Sequence, residues 1–261
     1  MIETRGLTKS FGELVAVDHI DLDVAEGEVF GLLGPNGAGK TTTIKMLNTI
    51  LPPTAGSARV DGHDIIRQQA QVRASMGYVP QMLSADGSLT AFENLLIFAK
   101  LYDIPRTTRV ERVDEALRFM GLDEARDRLV RTFSGGMIRR LEIAQSTLHR
   151  PRVLFLDEPT IGLDPGARRT VWQLVERLRD DFHTTVFLTT HLMEEADALC
   201  HRVGIMHKGK IVALGAPSKL KSDTGSQSLD EVFMHFTGEG AEAFGSYRDI
   251  ERTRKTARRL G

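Results

Sequence analysis

A glycine-rich stretch at residues 34–42 constrains the fold of this chain more than any other feature of its sequence. It reads Gly-Pro-Asn-Gly-Ala-Gly-Lys-Thr-Thr and fits the pattern G-x-x-x-x-G-K-[ST]. The apolar segment before it, at 29–33, is typical of a buried parallel strand. After it, Ile44 and Leu47 lie three residues apart, as on one face of a helix. The sequence therefore predicts a strand, a tight loop and a helix in an α/β protein.

The predicted loop has the properties of a phosphate-binding site. Its glycines allow successive backbone N–H groups to point inward, and the following helix N-terminus adds partial positive charge. Lys40 would reach the β- and γ-phosphates of a nucleoside triphosphate, and the Thr41 hydroxyl would ligate Mg²⁺. The predicted phosphate-binding residues are Gly34, Pro35, Asn36, Gly37, Ala38, Gly39, Lys40, Thr41 and Thr42.

The composition is that of an ordinary globular protein. The 261 residues carry a formal net charge of -1, which gives no general electrostatic reason to bind nucleic acid. Cys200 is the only cysteine, so an intrachain disulfide is impossible. No apolar run approaches the ~18 residues of a membrane-spanning helix, and no signal-peptide pattern follows Met1. If the protein works at a membrane, we expect another chain to supply the membrane part.

Two adjacent carboxylates follow a second apolar segment. Residues 153–156 are Val-Leu-Phe-Leu, and Asp157 and Glu158 come directly after them. An Asp at the carboxyl end of a buried strand is the Walker B arrangement, in which Asp157 supports Mg²⁺. Glu158 could orient or deprotonate a water molecule, which a hydrolase needs and a kinase does not. The pair predicts hydrolysis of the bound nucleotide.

Two other polar residues follow predicted strands. Gln81 comes after a strand at 76–79, and His191 comes after a strand at 185–189. Ligand groups commonly lie at this end of the strands in α/β sheets, and His191 could there donate a hydrogen bond to a γ-phosphate. Taken alone, Gln81 is more typical of a loop and His191 of a structural histidine. Both interpretations stay open at this point.

Between residues 85 and 150 the apolar periodicity changes from two residues to 3.6, which predicts an inserted block of helices. A capping box at 90–93 opens the first helix, at 94–102. A second helix begins near Pro105 and ends at Gly121, and the third covers 137–149.

These patterns predict the domain organisation. We expect 1–84 and 151–217 to form an ATP-binding α/β core with a β subdomain, and 85–150 to form a helical subdomain. Residues 218–261 would hold a short helix opened by a capping box at 228–231, followed by a basic tail. The tail is expected to be a solvated helix, with contact to anionic lipid or a partner as the alternative.

Taken together, the motifs resemble the nucleotide-binding subunit of an ATP-binding-cassette (ABC) transporter over residues 5–237. Residues 133–137, Phe-Ser-Gly-Gly-Met, are similar to the signature segment of that family. Gln81 resembles its Q-loop residue, 162–164 its D-loop and His191 its switch histidine. The resemblance implies an α/β fold, with a P-loop NTPase (RecA-like) core, an antiparallel β subdomain and an inserted α-helical subdomain.

The resemblance also implies a mechanism. Two copies would pair head to tail and trap two ATP molecules, each between the Walker A loop of one copy and the signature segment of the other. The partners implied are this homodimer and a separate integral membrane permease, with the chain peripheral on the cytoplasmic side of the membrane. No nucleic acid partner is expected. The implied catalytic residues are Glu158, His191 and Gln81, the metal ligands are Thr41, Gln81 and Asp157, and the further nucleotide contacts are Phe11, Ser134, Gly135, Gly136 and Asp164.

The sequence departs from the family pattern at three positions. Met137 stands where many relatives have Gln, and Phe133 replaces the usual Leu. Phe11 replaces a more common Tyr at the position that stacks on adenine. Residues 134–141 and 229–238 are similar to the drug- and polysaccharide-export branch, so the resemblance implies export.

Other function classes fit the sequence less well than transport. No Asn-Lys-x-Asp segment that reads guanine is present, which disfavours a GTP-driven switch. A soluble cassette acting on ribosomes or DNA remains the main alternative. Such relatives carry two cassettes or a long coiled coil, and this chain has neither. A stand-alone regulatory ATPase is a third possibility.

Overall fold

The structure is a computed structural model that describes residues 1–238, so the predicted basic tail lies outside the described residues. Strands and helices alternate through most of this part of the chain. The strands are β1 (Ile2–Phe11), β2 (Leu14–Val24), β3 (Val29–Leu33), β4 (Ala55–Val60), β5 (His63–Asp64), β6 (Met76–Val79), β7 (Val153–Asp157), β8 (Thr185–Thr190), β9 (Arg202–His207) and β10 (Lys210–Gly215). The helices are α1 (Lys40–Leu47), α2 (Gln69–Ser75), α3 (Ala91–Leu101), α4 (Arg109–Phe119), α5 (Gly135–Thr147), α6 (Pro165–Phe182), α7 (Met193–Leu199), α8 (Pro217–Thr224) and α9 (Leu229–Thr237).

A six-stranded sheet in the order β10-β9-β3-β8-β7-β6 carries the predicted site residues. Its strands are parallel except for β10, which pairs antiparallel with β9. Every residue of β3, β7 and β8 is buried, as expected for parallel strands that are covered on both faces. The carboxyl ends of these strands meet at one edge, so the segments that follow them converge there.

A second, antiparallel sheet has the order β2-β1-β4-β5. Asp61 and Gly62, both with positive φ, form the two-residue turn between β4 and β5. The sheet shares a core with one face of the parallel sheet, where the rings of Phe30 and Phe187 lie 5.3 Å apart. This sheet and the six-stranded sheet confirm the predicted α/β class with an antiparallel part.

The inserted helices pack on the other face of the parallel sheet. Side chains of α3, α4 and α5 form one apolar cluster with those of α6 and β8. The predicted capping box is present: the Thr90 hydroxyl accepts a hydrogen bond from the Glu93 N–H at 3.1 Å, and the Glu93 carboxylate accepts one from the Thr90 N–H at 2.8 Å. Such a cap stabilises a helix by about 1 kcal/mol.

Some local predictions were wrong in detail. Helix α4 begins at Arg109, after a turn closed by a hydrogen bond from the Thr108 N–H to the Pro105 carbonyl. At α9, Glu231 accepts a hydrogen bond from the Gln227 N–H, one residue further back than a capping box requires. Ser228 still caps this helix. No helix within residues 1–238 combines the length and apolar character that crossing a membrane requires.

Cys200 ends α7 and packs beneath β3. Its thiol is buried, and burial raises its pKa well above the ordinary value. A Cβ at Gly31 would lie 2.6 Å from its Sγ, so glycine is needed for this close contact between α7 and the central strand.

Candidate active site

The loop between β3 and α1 has a shape that only glycine permits. Gly34 and Gly39 have φ values of 156° and 108°. A Cβ on Gly34 would lie 2.3 Å from the Met206 carbonyl oxygen, and one on Gly39 would lie 2.3 Å from that of Ala16. The loop is therefore packed closely against two neighbouring backbones.

The N-terminus of α1 presents unpaired donors. Its first intrahelical bond at this end runs from the Thr43 N–H to the Gly39 carbonyl. Within residues 1–238, the N–H groups of Lys40, Thr41 and Thr42 donate to no hydrogen-bond acceptor. Free donors at a helix N-terminus fit the oxygens of a phosphate group.

Lys40 points back across this loop. Its ammonium group donates hydrogen bonds to the Gly34 carbonyl at 2.7 Å and the Pro35 carbonyl at 3.2 Å. It also lies 3.1 Å from Oε1 of Glu158. The side chain is only 5% exposed, so this charge is directed at the site instead of the solvent.

Asp157 and Thr41 form a pair of oxygen ligands. The Thr41 hydroxyl lies 3.1 Å from Asp157 Oδ1, which also accepts a hydrogen bond of 2.6 Å from Thr189. Burial raises the pKa of Asp157, and the two hydroxyl groups oppose that shift. A hydroxyl and a carboxylate are ligands that Mg²⁺ takes together with substrate phosphates and waters.

Glu158 lies between two cationic or polar partners. His191 donates from Nδ1 to its Oε2 at 2.6 Å, while Lys40 approaches the other oxygen. Burial favours the neutral acid, but the His191 hydrogen bond and the Lys40 charge outweigh it and lower the pKa of Glu158. The residue is therefore an ionised carboxylate able to accept a proton. Its φ of 51° is a strained value for a non-glycine residue.

Within residues 1–238, none of the remaining predicted residues forms a hydrogen bond or ion pair with this cluster. Phe11 is 48% exposed at the end of β1, and Gln81 is exposed in the loop after β6. Ser134 caps α5 and Asp164 caps α6. Gly136 lies between the two caps, where an added Cβ would come within 2.7 Å of Ala167.

The signature turn, residues 134–136, thus lies beside the D-loop of its own chain. Among the described residues, no hydrogen bond or ion pair joins this turn to residues 34–42. The chain assembles one half of the predicted site around Lys40 and presents the other half elsewhere on its surface.

Sequence reasoning missed two residues that hold the cluster together. Thr189 lies opposite Asp157 in the pairing of β7 and β8 and bonds to it. Glu195 is buried on α7, where it accepts hydrogen bonds from Thr160 at 2.7 Å and Trp172 at 3.1 Å. Thr189 follows the apolar residues 186–188, which was the available signal, but its partner is set by tertiary structure.

The fold and the site define this protein as a P-loop nucleoside triphosphatase. Residues 17–161 match the family described as ABC transporter. The chain belongs to this family. It binds ATP and is an ATPase.

Relatives with known names support this assignment. The chain is 46% identical over 242 residues to the daunorubicin/doxorubicin resistance ATP-binding protein DrrA of Streptomyces peucetius, covering 93% of this chain and 73% of that one. It is 44% identical over 234 residues to the Nod factor export ATP-binding protein I of Paraburkholderia xenovorans, covering 89% and 76%. Among solved structures, a dimeric ATP-binding cassette in a post-hydrolysis state with ADP and phosphate is similar, with a TM-score of 0.73 and 26% identity. That match covers 83% of this chain and 98% of the solved one.

Proposed function

We propose that this chain powers an exporter, in which two copies close head to tail around ATP and move a separate membrane subunit. The observation that carries the proposal is Glu158, an ionised carboxylate held between Lys40 and His191 beside the Asp157–Thr41 pair. A carboxylate placed in this way can activate water, so the site is suited to hydrolysis and not to nucleotide binding alone.

ATP would be bound by the end of β1 and by the loop before α1. Phe11 offers an exposed ring face on which adenine can stack, and the free amides after Gly39 suit the phosphates. Thr41, Asp157 and Gln81 are the proposed metal ligands. When bound, Mg²⁺ neutralises charge on the β- and γ-phosphates.

Hydrolysis would begin with a change of partner at Lys40. A triphosphate carries more negative charge than one carboxylate, so we expect Lys40 to leave Glu158 for the phosphates when ATP binds. Glu158 would keep its hydrogen bond with His191, which orients the carboxylate. The oxygen released by Lys40 is then free to take a proton from the attacking water.

The signature turn would complete the site of a second copy. Ser134 and the amides of Gly135 and Gly136 stand at the N-terminus of a 13-residue helix, which attracts anions. Asp164, which caps the neighbouring helix, would link the two sites. The dimeric form of the similar solved cassette supports this arrangement.

Two adjacent exposed apolar side chains next to Gln81 suit a membrane subunit. Met82 is 76% exposed and Leu83 is 50% exposed. Exposed apolar surface of this kind marks protein interaction sites. The names of the two relatives, for drug resistance and for Nod factor export, favour export as the direction, with the chain on the cytoplasmic side.

Purification of a tagged chain from gently solubilised host membranes tests this proposal. Mass spectrometry is expected to identify a polytopic membrane protein in equal amount. The variant Met82→Asp/Leu83→Asp should lose this protein and keep ATP hydrolysis. Leu214→Asp is the matched control, because Leu214 is 40% exposed on β10, at the opposite edge of the sheet from β6. Ribosomes, nucleic acid or no partner would contradict the transport role.

A further inference from the structure

Helix α5 contains a buried ion pair that the proposed chemistry does not use. Arg139 Nη1 lies 3.0 Å from Glu142 Oε2, and their side chains are 2% and 1% exposed. Burial lowers the pKa of Arg139 and raises that of Glu142, so each charge depends on the other. Such pairs are a poor source of folding stability, since removing charges from water offsets much of their attraction. Their presence therefore indicates another role.

Both members of the pair hold the loop that carries Gln81. This loop, residues 80–85, follows β6, and we call it the Gln81 loop. Arg139 donates one hydrogen bond to the Pro80 carbonyl at 2.7 Å and one to the Gln81 carbonyl at 2.8 Å. Glu142 accepts from the Ser84 hydroxyl at 3.2 Å and from the Ser84 N–H. The loop is held at both ends, while the side chains between them face outward.

The same helix begins at the signature turn. Ser134 caps α5, and Arg139 follows it by little more than one turn. A continuous helix transmits displacement along its axis as a rigid element. A movement of α5 as a whole would therefore displace Ser134 together with the two Arg139 contacts to the Pro80 and Gln81 carbonyls.

We propose that Arg139 and Glu142 are positioning residues that make Gln81 and Ser134 of one chain move as a unit. Given the head-to-tail dimer proposed above, on which this inference rests, Gln81 would serve a chain's own ATP and Ser134 the ATP held by its partner. The pair would then couple the two ATP sites through each protomer. This gives the buried charges a function that an apolar pair of the same size could not perform.

The test replaces both charges together, in Arg139→Met/Glu142→Leu. This variant leaves no unpaired buried charge, so its Tm should stay close to that of the native chain. ATP affinity of the monomer should be unchanged. We expect kcat of ATP hydrolysis to fall between roughly tenfold and a hundredfold, as misplacement of a positioned group does. The Hill coefficient for ATP should fall towards 1 as the sites become independent.

A matched control and a milder variant accompany the test. Arg140→Met removes the adjacent arginine, whose guanidinium bonds to the Met120 and Gly121 carbonyls and not to the Gln81 loop. It should leave kcat and the Hill coefficient unchanged. Arg139→Lys keeps the positive charge but has no planar fork for two carbonyls, so it should fold and show a smaller loss of kcat. It keeps the proposal testable if the double variant does not fold.

A double-mutant cycle with Gln81→Ala shows whether the pair acts through Gln81. If it does, Gln81→Ala should lower kcat far less in the Arg139→Met/Glu142→Leu background than in the native chain. Additive losses, or native kcat and cooperativity in a folded charge-free variant, would overturn the coupling role. Dimer formation is measured in parallel: if the native chain does not form an ATP-dependent dimer, the proposed function fails together with this inference, whereas normal dimers with additive losses reject the inference alone.

Discussion

The Walker A region and the signature turn of this chain are held in different ways. Around Lys40, side chains from separate elements bond to one another, as in the Lys40–Glu158 and Glu158–His191 contacts. Ser134 and Asp164 instead cap their own helices, through the N–H groups of Met137 and Ala167. The first region is complete within one chain. Within residues 1–238 the second has no bond to the first, as the proposed completion by a second copy requires.

Glu158→Gln should have the largest effect, because it removes the proton acceptor from the complete region. Loss of a general base costs roughly 10²–10⁴-fold in rate, so phosphate release should fall by that factor. ATP binding should survive, and size-exclusion chromatography with ATP should show an accumulated dimer. Glu28→Gln is the control, since Glu28 is also buried but lies at the start of β3. A monomeric Glu158→Gln variant with normal turnover would refute the assigned role.

Ser134→Arg tests the signature turn directly. We expect turnover to be lost while ATP still binds to the monomer, because Ser134 would act on the nucleotide of the other copy. Mixing this variant with an equal amount of an inactive Lys40→Ala chain should restore up to about a quarter of the native activity, because about half of the dimers are then mixed and each has one intact site. In the mixed dimer, one site combines an intact Walker A loop with an intact signature turn. If mixing restores no activity, or if the Ser134→Arg monomer loses ATP binding, the signature turn does not act on the nucleotide of a second copy.

Thr189→Val should have an intermediate effect, confined to the affinity for Mg²⁺. It removes the 2.6 Å hydrogen bond to Asp157 and leaves the buried carboxylate with less support. Loss of a group that orients a metal ligand typically costs 10–100-fold in metal affinity, so the Mg²⁺ concentration for half-maximal hydrolysis should rise by about that factor. Thr185→Val, at the other end of β8, should leave it unchanged. Equal Mg²⁺ dependence of the two variants would count against the Asp157 site.

Phe11→Ala should have the smallest effect. Phe11 belongs to neither bonded cluster, and the Lys9 ammonium lies 5.2 Å from its ring centroid. Losing one aromatic stacking contact should raise KM for ATP about two- to tenfold, with little change in kcat. Phe11→Tyr keeps the ring face and should stay within about twofold. If KM does not change in Phe11→Ala, adenine binds elsewhere.

The elements that hold the site could be predicted from the sequence. Val29–Leu33, Val153–Asp157 and Thr185–Thr190 are apolar runs because both faces of their sheet are covered, and such runs are a strong signal. The resemblance of the motifs to a family supplied the roles. The order of these strands in the sheet and the Asp157–Thr189 pairing could not be predicted from the apolar runs, because both depend on which strands become neighbours.

Weak periodicity explains the helices that were missed. α2 and α7 have seven residues and α8 has eight, which is too short for an apolar repeat to stand out. The burial of the Arg139–Glu142 ion pair also could not be predicted from the sequence. Two charges one turn apart on a helix usually form a solvated surface pair, and only the packing of the Gln81 loop buries them.

Cys200 can report how often α7 separates from β3. It is the only thiol, it is buried against Gly31, and its raised pKa keeps it in the unreactive protonated form. A disulfide reagent can therefore modify Cys200 only when α7 separates from β3. The rate of labelling, measured with and without ATP, gives the frequency of that separation. Cysteines introduced on the surface to cross-link two copies would react first, so the native thiol would not have to be removed before such work.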